Sequence, residues 1–384
     1  MRAVARNVAA ILLGLAAAAL VLLGADAAGL TPRPHPARFR LVAEDASAPL
    51  RRIAIHYAPT ADAVAMPVWR QLFAAVGADV EVEVAVARAA DFDRFVVAMR
   101  DAGVGELDRF HPVVVGREIT TWSRDRFAAL VGADGAGGVL APPRVDAAFA
   151  GRTGDMESPH ALARAVYGDD ARIARIVFEG GDLAASAHTL FVGPELGRRS
   201  QGRVAADRAA IDGELRRHFD EDIVWLGDGP DDAPHHHVMM YMVPLDDHTV
   251  VVGDPRAGAA LAAAEPAAAT LTLDDDLEGH ARRFDQVADR LAARGFDVIR
   301  MPVVVLAGAG AYVTYTNALF DREPGPAGRP IVYLPTYRLP ALDDAAARQY
   351  RDLGYVVRPI DVSGIYRLNG SLGCLVNVMA RGAG

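Results

Sequence analysis

Arg175-Ile176-Val177-Phe178-Glu179-Gly180-Gly181 and, a few residues on, Thr189-Leu190-Phe191-Val192-Gly193 read as two β-runs joined by a tight connection. β-Branched and aromatic residues suit a pleated surface, and paired glycines mark a turn. Val204, Ile211, Leu215 and Phe219 then fall on one face at helical spacing. Asp222 to Leu226 returns to a β pattern. The order is strand, strand, helix, strand, and it recurs.

Downstream, His235 to Val243 and Thr249 to Asp254 are strand-like, and Leu277, Ala281, Phe284, Val287 and Leu291 share a helical face. Asp297 to Leu306, Ala311 to Leu319 and Ile331 to Pro335 are further strand runs. The Ala341–Leu353 stretch reads as a helix with Asp343 and Asp344 near its start, where acidic groups favour the helix dipole. Val356 to Val362 and Leu372 to Met379 close the series. Upstream, strands Arg52–Tyr57 and Asp79–Ala85 flank a helix over Val68–Val76. A unit recurring in this way implies a repeat architecture closed into one α/β body. Nothing within residues 40–384 reads as a linker between domains, so that span is expected to be a single domain. Gly132 to Gly138 and Arg322 to Gly328 read as surface loops.

The N-terminus has a different character. Arg2 and Arg6 precede an apolar run from Val8 to Gly24, and Ala25-Asp26-Ala27 ends it. A basic start, an apolar middle and an A-x-A end describe an export signal over residues 1–27, with an uncleaved membrane anchor as the alternative. Residues 28–39, with Pro32, Pro34 and Pro36, read as a linker. The expected location is therefore outside the cytoplasm, periplasmic or secreted, with membrane attachment only if the segment stays uncleaved. Of the 384 residues, 52% are hydrophobic and 23% charged, as in a globular chain, and the net charge is −9. An acidic chain is a poor nucleic-acid partner, because such binding needs basic surface to displace counterions.

Cys374 is the single cysteine of the chain, which is unusual for an exported protein, where cysteines are normally paired or absent. It lies in Asn369-Gly370-Ser371-Leu372-Gly373-Cys374-Leu375-Val376-Asn377, on the last strand or at its mouth. A thiol in a glycine-containing turn serves as a nucleophile or as a small buried hydrophobe. Three other strings carry chemistry: Thr121-Trp122-Ser123-Arg124-Asp125-Arg126-Phe127, Phe178-Glu179-Gly180-Gly181-Asp182, and His235-His236-His237-Val238-Met239-Met240-Tyr241-Met242. Each has a structural reading too. Arg124 and Asp125 suit a surface ion pair, and Arg124 suits bracing a loop. Glu179 suits a turn, and Asp182 and Asp254 suit turns. His235 and His237 suit one face of a strand, and Asn377 a backbone bond. With Asp231, the two histidines would form half of a metal site.

Taken in order, the strings resemble the guanidino-group-modifying superfamily, which includes agmatine deiminases, bacterial peptidyl-arginine deiminases, arginine deiminases and amidinotransferases. Its Trp-x-Arg-Asp, Glu-Gly-Gly-Asp/Asn, His-x-Asp and C-terminal Gly-Gly/Ser-Ser/Gly-x-x-Cys motifs come in the same order as the four strings. Thr314-Tyr315-Thr316-Asn317-Ala318-Leu319 and Val332-Tyr333-Leu334-Pro335-Thr336-Tyr337 resemble its fourth repeat, and the likeness runs from about Arg52 to Met379. The resemblance implies a five-fold pseudosymmetric α/β propeller of ββαβ repeats and a cofactor-free, metal-free site. Asp125 and Glu179 would hold a planar guanidinium, Cys374 would attack its carbon, and His237 would shuttle protons. Trp122 would wall the pocket. The implied substrate is agmatine, another small guanidine or a peptidyl-arginine. Water as acceptor gives a ureido product, whereas an amine acceptor makes an amidinotransferase. Met239 stands where the second guanidinium-binding Asp belongs, so an apolar contact or a binding protein without turnover is also implied. Gly373 replaces a larger polar residue of the family.

Overall fold

The computed structural model describes residues 39–144, 152–308, 310–325 and 327–382. The signal or anchor segment 1–27 and the linker up to residue 38 lie outside the described residues. Residue 39 of that linker does not belong to it: Phe39–Leu41 is a strand, paired antiparallel with Ala128–Gly132. The described chain from Phe39 onward is one compact unit. No described helix is long and apolar enough to cross a membrane.

Its strands form five separate sheets of three or four strands, a mixed α/β architecture. Every sheet contains the same motif. An antiparallel pair is followed by a helical crossover to a third strand parallel to the second. Ala128–Gly132, Gly137–Ala141 and Arg172–Ile173 form the first unit around helix Thr153–Tyr167. Leu183–Ala185, Thr189–Val192 and Asp222–Trp225 form the second around Arg208–His218. Met242–Pro244, Thr249–Asp254 and Asp297–Val305 form the third, with Pro255–Ala263 and Leu277–Ala292 as crossover. Leu319–Arg322, Pro330–Thr336 and Val356–Asp361 form the fourth around Pro340–Asp352. The fifth joins the two ends of the described chain: Val376–Arg381 pairs with Leu50–Tyr57, which crosses through Asp62–Ala75 to Glu81–Val86.

The helices follow apolar periodicity closely. In Leu277–Ala292, Ala281, Phe284, Val287 and Leu291 are all buried, each large side chain contributing roughly 1.5–3 kcal/mol. Asp276 caps that helix through the Gly279 amide at 3.0 Å. Val204, by contrast, is exposed and precedes the helix, which starts at Arg208 behind the Asp207 cap.

Four strand expectations need correction, and all lie where the chain enters a unit. Arg175–Gly181 is not a strand. The Ser200 hydroxyl bonds both the amide and the carbonyl of Val177, at 3.0 and 2.7 Å, doing locally what a ladder would do. Gly180–Asp182 is a 3-10 turn. His235–Val243 enters a sheet only at Met242, after a 3-10 turn at Val238–Met240. Ala311–Leu319 divides between Tyr312–Thr314, which ends the third sheet, and Leu319, which opens the fourth. Leu372–Leu375 is a single helical turn, so Cys374 sits at the mouth of strand Val376–Arg381 rather than on it.

Candidate active site

These corrected segments are equivalent. Each unit is entered by a turn just before its first strand, and the turns carry Asp125, Glu179, His237, Asn317 and Cys374 in chain order. Turn Ser123–Asp125 packs on both Leu372–Leu375 and Gly180–Asp182, and the latter packs on Val238–Met240. The Ser123 hydroxyl ties the first turn to the last, donating to the Leu375 carbonyl at 2.7 Å.

Glycine makes the approach possible. A Cβ at Gly180 would lie 2.2 Å from the Arg124 carbonyl oxygen and 2.3 Å from that of Phe127. At Gly181 it would lie 2.4 Å from the His237 ring. The two glycines of the Glu-Gly-Gly string therefore let a backbone and an imidazole close onto Glu179. Gly370 does the same for Trp122, whose ring occupies the space a side chain would need.

Asp125, Glu179, His237 and Cys374 are brought together. His237 Nε2 is 2.8 Å from Glu179 Oε2, and the ring also interacts with the Cys374 side chain and the Asp125 charge. Burial opposes the imidazolium, but the Cys374 and Glu179 contacts with the surrounding carboxylates outweigh it, holding His237 well above its ordinary value. Its neighbour His236 is pushed down to about 3 by burial and by the His237 charge. Neutral His236 accepts the His237 amide through Nδ1 at 2.8 Å, which fixes the turn. Cys374 is 3% exposed, Asp125 and Glu179 7% each, and the His237 side chain 14%, so the group is enclosed but reached by solvent.

Arginines that the sequence reading assigned no role complete the cluster. Glu179 meets Arg126 at 3.2 Å and Arg199 at 2.6 Å. Burial alone would raise this carboxyl, but His237, Arg199 and Arg126 together bring it down to about 2. Asp125 is hydrogen-bonded by one cation among the described residues, Arg152, whose Nη1 is 2.9 Å from Oδ2. Burial and the Glu179 charge leave the Asp125 carboxyl above its ordinary value. Arg152 is itself held by Asp155 at 2.5 Å and by the Thr120 hydroxyl at 2.7 Å. Arg126 adjoins Asp125 in the quoted string. Arg152 and Arg199 lie near helix ends with no local pattern to mark them.

Other expected residues find structural places. Arg124 does not pair with Asp125; it forms a buried ion pair with Glu44 at 2.5 Å and donates to the Leu183 carbonyl. Asp182 is a turn residue that also supports the cleft, accepting from the Glu179 amide at 2.8 Å and from Arg199 at 3.1 Å. Asp254 caps a helix, and Asn377 donates to the Phe127 carbonyl. Met239 is buried among apolar side chains, and its carbonyl accepts the Thr316 hydroxyl at 2.8 Å. His235 and His237 are not on one strand face. His235 pairs with Asp231 and Glu195, away from the partners of His237, so those residues do not assemble a metal site. Glu179, Asp182 and His237 do bring ligand-type atoms within 4.8 Å of one another, yet Arg199 bridges both carboxylates.

Comparison with known proteins fixes the fold. No family model matches the chain, and no curated protein matches it. Solved structures do. A C. jejuni agmatine deiminase shares 17% identity with a TM-score of 0.64, over 90% of this chain and 97% of that one. A form of the C. jejuni enzyme with substrate bound gives 16% and 0.65 over 88% and 96%. The agmatine deiminase of Enterococcus faecalis gives 14% and 0.64 over 89% and 96%. The chain thus has the fold of these agmatine deiminases.

Proposed function

We propose that this protein is a deiminase-type hydrolase of a guanidino group, with Cys374 as nucleophile and the five units arranged as blades of a pseudosymmetric propeller. The observation that carries the reading is the contact of His237 with both the Glu179 carboxylate and the Cys374 side chain, with Asp125 alongside. Asp125 and Glu179 hold the guanidinium nitrogens, since carboxylates match its forked donors. Trp122 and Met239 supply apolar walls. The Cys374 thiolate, paired with the imidazolium of His237, forms a bond to the guanidine carbon, and that imidazolium gives its proton to the departing nitrogen as the C–N bond breaks. Ammonia leaves. Neutral His237 then takes a proton from water, which adds to the amidino-thioester carbon. Breakage of the C–S bond restores the thiolate beside the imidazolium and releases the ureido product, which loses its hydroxyl proton to solvent.

A second reading rests on two features. Met239 supplies no carboxylate, and Arg126, Arg152 and Arg199 already neutralise the acidic groups, which favours a guanidine-binding relative with little turnover. An amine in place of water would make the protein an amidinotransferase. The N-terminal pattern supports export, with peptidyl-arginine or a small guanidine as substrate; N-terminal sequencing of the mature protein tests this. Purified protein is incubated with agmatine, arginine, an arginyl peptide and guanidinoacetate, and ureido product is compared with that of Cys374→Ala. The hydrolase reading expects product from at least one guanidine with wild type alone. Equal background from both proteins for every guanidine supports the binding reading.

A further inference from the structure

Four of the five entering turns supply a residue to the reaction just described, and the fourth in chain order does not. That turn, between strand Tyr312–Thr314 and strand Leu319–Arg322, carries Asn317. Asn317 is 2% exposed. Its main-chain carbonyl accepts the Gly373 amide at 3.1 Å, and its side-chain Oδ1 accepts the Cys374 amide at 3.2 Å. The same Oδ1 is 3.7 Å from the Cys374 sulfur. A backbone N–H can only donate, so the oxygen of the amide, not its nitrogen, must face Cys374.

The amide also explains Gly373. A Cβ there would come 3.1 Å from Asn317 Oδ1 and 3.3 Å from Cγ. The space that a side chain at Gly373 would need is taken by the Asn317 side chain. Turn and side chain are therefore fitted to each other, and the product of that fit is a carbonyl oxygen aimed at sulfur.

We propose that Asn317 is a positioning residue for the nucleophile: it fixes the Cys374 turn by two hydrogen bonds and sets the ionisation of the thiol through the oxygen it presents to Sγ. This rests on Cys374 being the nucleophile of the proposed hydrolase. The oxygen accepts from S–H and repels S⁻, whereas His237 on the other side favours S⁻. Among the described residues, the groups facing the sulfur are Asn317, the His237 ring and the Tyr337 phenol, which is held on Ser371 of the same turn, with the Asp125 and Glu179 charges behind the ring. Opposed influences of this kind place the proton by geometry, and a change at Asn317 shifts the balance without touching the imidazole.

The test needs no substrate. Because the chain has one cysteine, iodoacetamide labelling of the full-length protein reports on Cys374 alone. Rates are measured from pH 5 to pH 10 for wild type, Asn317→Asp, Asn317→Ala and, as a control, Asn377→Ala, with thermal melts confirming folding. Asn317→Asp keeps the acceptor for the Cys374 amide but adds charge beside the sulfur. Its labelling midpoint is expected to rise by about one pH unit or more, a tenfold loss of thiolate at fixed pH. Asn317→Ala removes the oxygen and moves the midpoint the other way, and Asn377→Ala leaves it in place. A midpoint in Asn317→Asp equal to wild type overturns the inference. Should that variant unfold, an unmoved midpoint in folded Asn317→Ala overturns it equally. Shifted midpoints in a protein inactive on every guanidine would uphold this inference while the hydrolase reading fell. Turnover by wild type with unmoved midpoints would do the reverse.

Discussion

Glu179 and Asp125 occupy matching turns in successive units, both 7% exposed, yet they are held in opposite ways. Glu179 is ringed by His237, Arg126 and Arg199 and ionises far below the ordinary carboxyl range, at about 2. Asp125 has Arg152 on one oxygen, and its carboxyl stays above the ordinary value because burial and the Glu179 charge prevail. One carboxylate is part of what holds the site together. The other is kept against its own preference, which is what a residue retained for a substrate cation would look like.

Removing the charge of Glu179 should therefore be costly. Glu179→Gln removes the one negative charge that Arg126, Arg199 and His237 share and is expected to lower stability by roughly 3–5 kcal/mol, read by urea unfolding. Asp125→Asn should leave stability unchanged or raise it, while both variants lose turnover. Equal destabilisation by the two would erase the distinction. The pH profile sharpens it. The depressed Glu179 carboxyl contributes stability present above about 4.5 and lost as pH falls toward about 2. The raised His237 contributes stability present below 6.5 and lost as pH rises through its folded value. The pair is thus fully stabilising between about pH 4.5 and pH 6.5. Melting curves of His237→Asn should differ most from wild type in that window, and a pH-independent difference would contradict the pairing.

Gly181→Ala probes how His237 reaches Glu179. The new methyl would meet the ring at 2.4 Å, and a displacement near 1 Å costs about 10²-fold in rate. Unchanged turnover would show that the ring has room to spare. The smallest effect belongs to a residue outside both carboxylate environments. Asn377→Ala removes one bond to the Phe127 carbonyl and should cost about 1 kcal/mol with activity retained.

The helices and the inner strands were readable because burial writes a period into the sequence, as Ala281, Phe284, Val287 and Leu291 show. The entering turns were not, because they are apolar for a different reason. Val177 and Phe178 look like strand residues, but the chain there is held by Ser200 and by the closeness that Gly180 allows. Asp125, Glu179, His237 and Cys374 could be named from the order of four motifs. Arg152 and Arg199 could not, since no local pattern says that a distant arginine will turn back onto a carboxylate. Asn317 lay in a quoted string, but nothing in that string says that its side chain meets the Cys374 turn; only the order of the five turns brings the two together.

The whole reading depends on a bond between the Cys374 sulfur and a guanidine carbon, and that bond can be weighed. Wild type is mixed with each guanidine, quenched in acid within milliseconds to seconds, and its Cys374 peptide examined by mass spectrometry. An amidino-sized mass increase on that peptide, absent from Cys374→Ala and decaying as ureido product appears, is the expected result. Ureido product formed without any adduct, or formed equally by the alanine variant, would contradict the account.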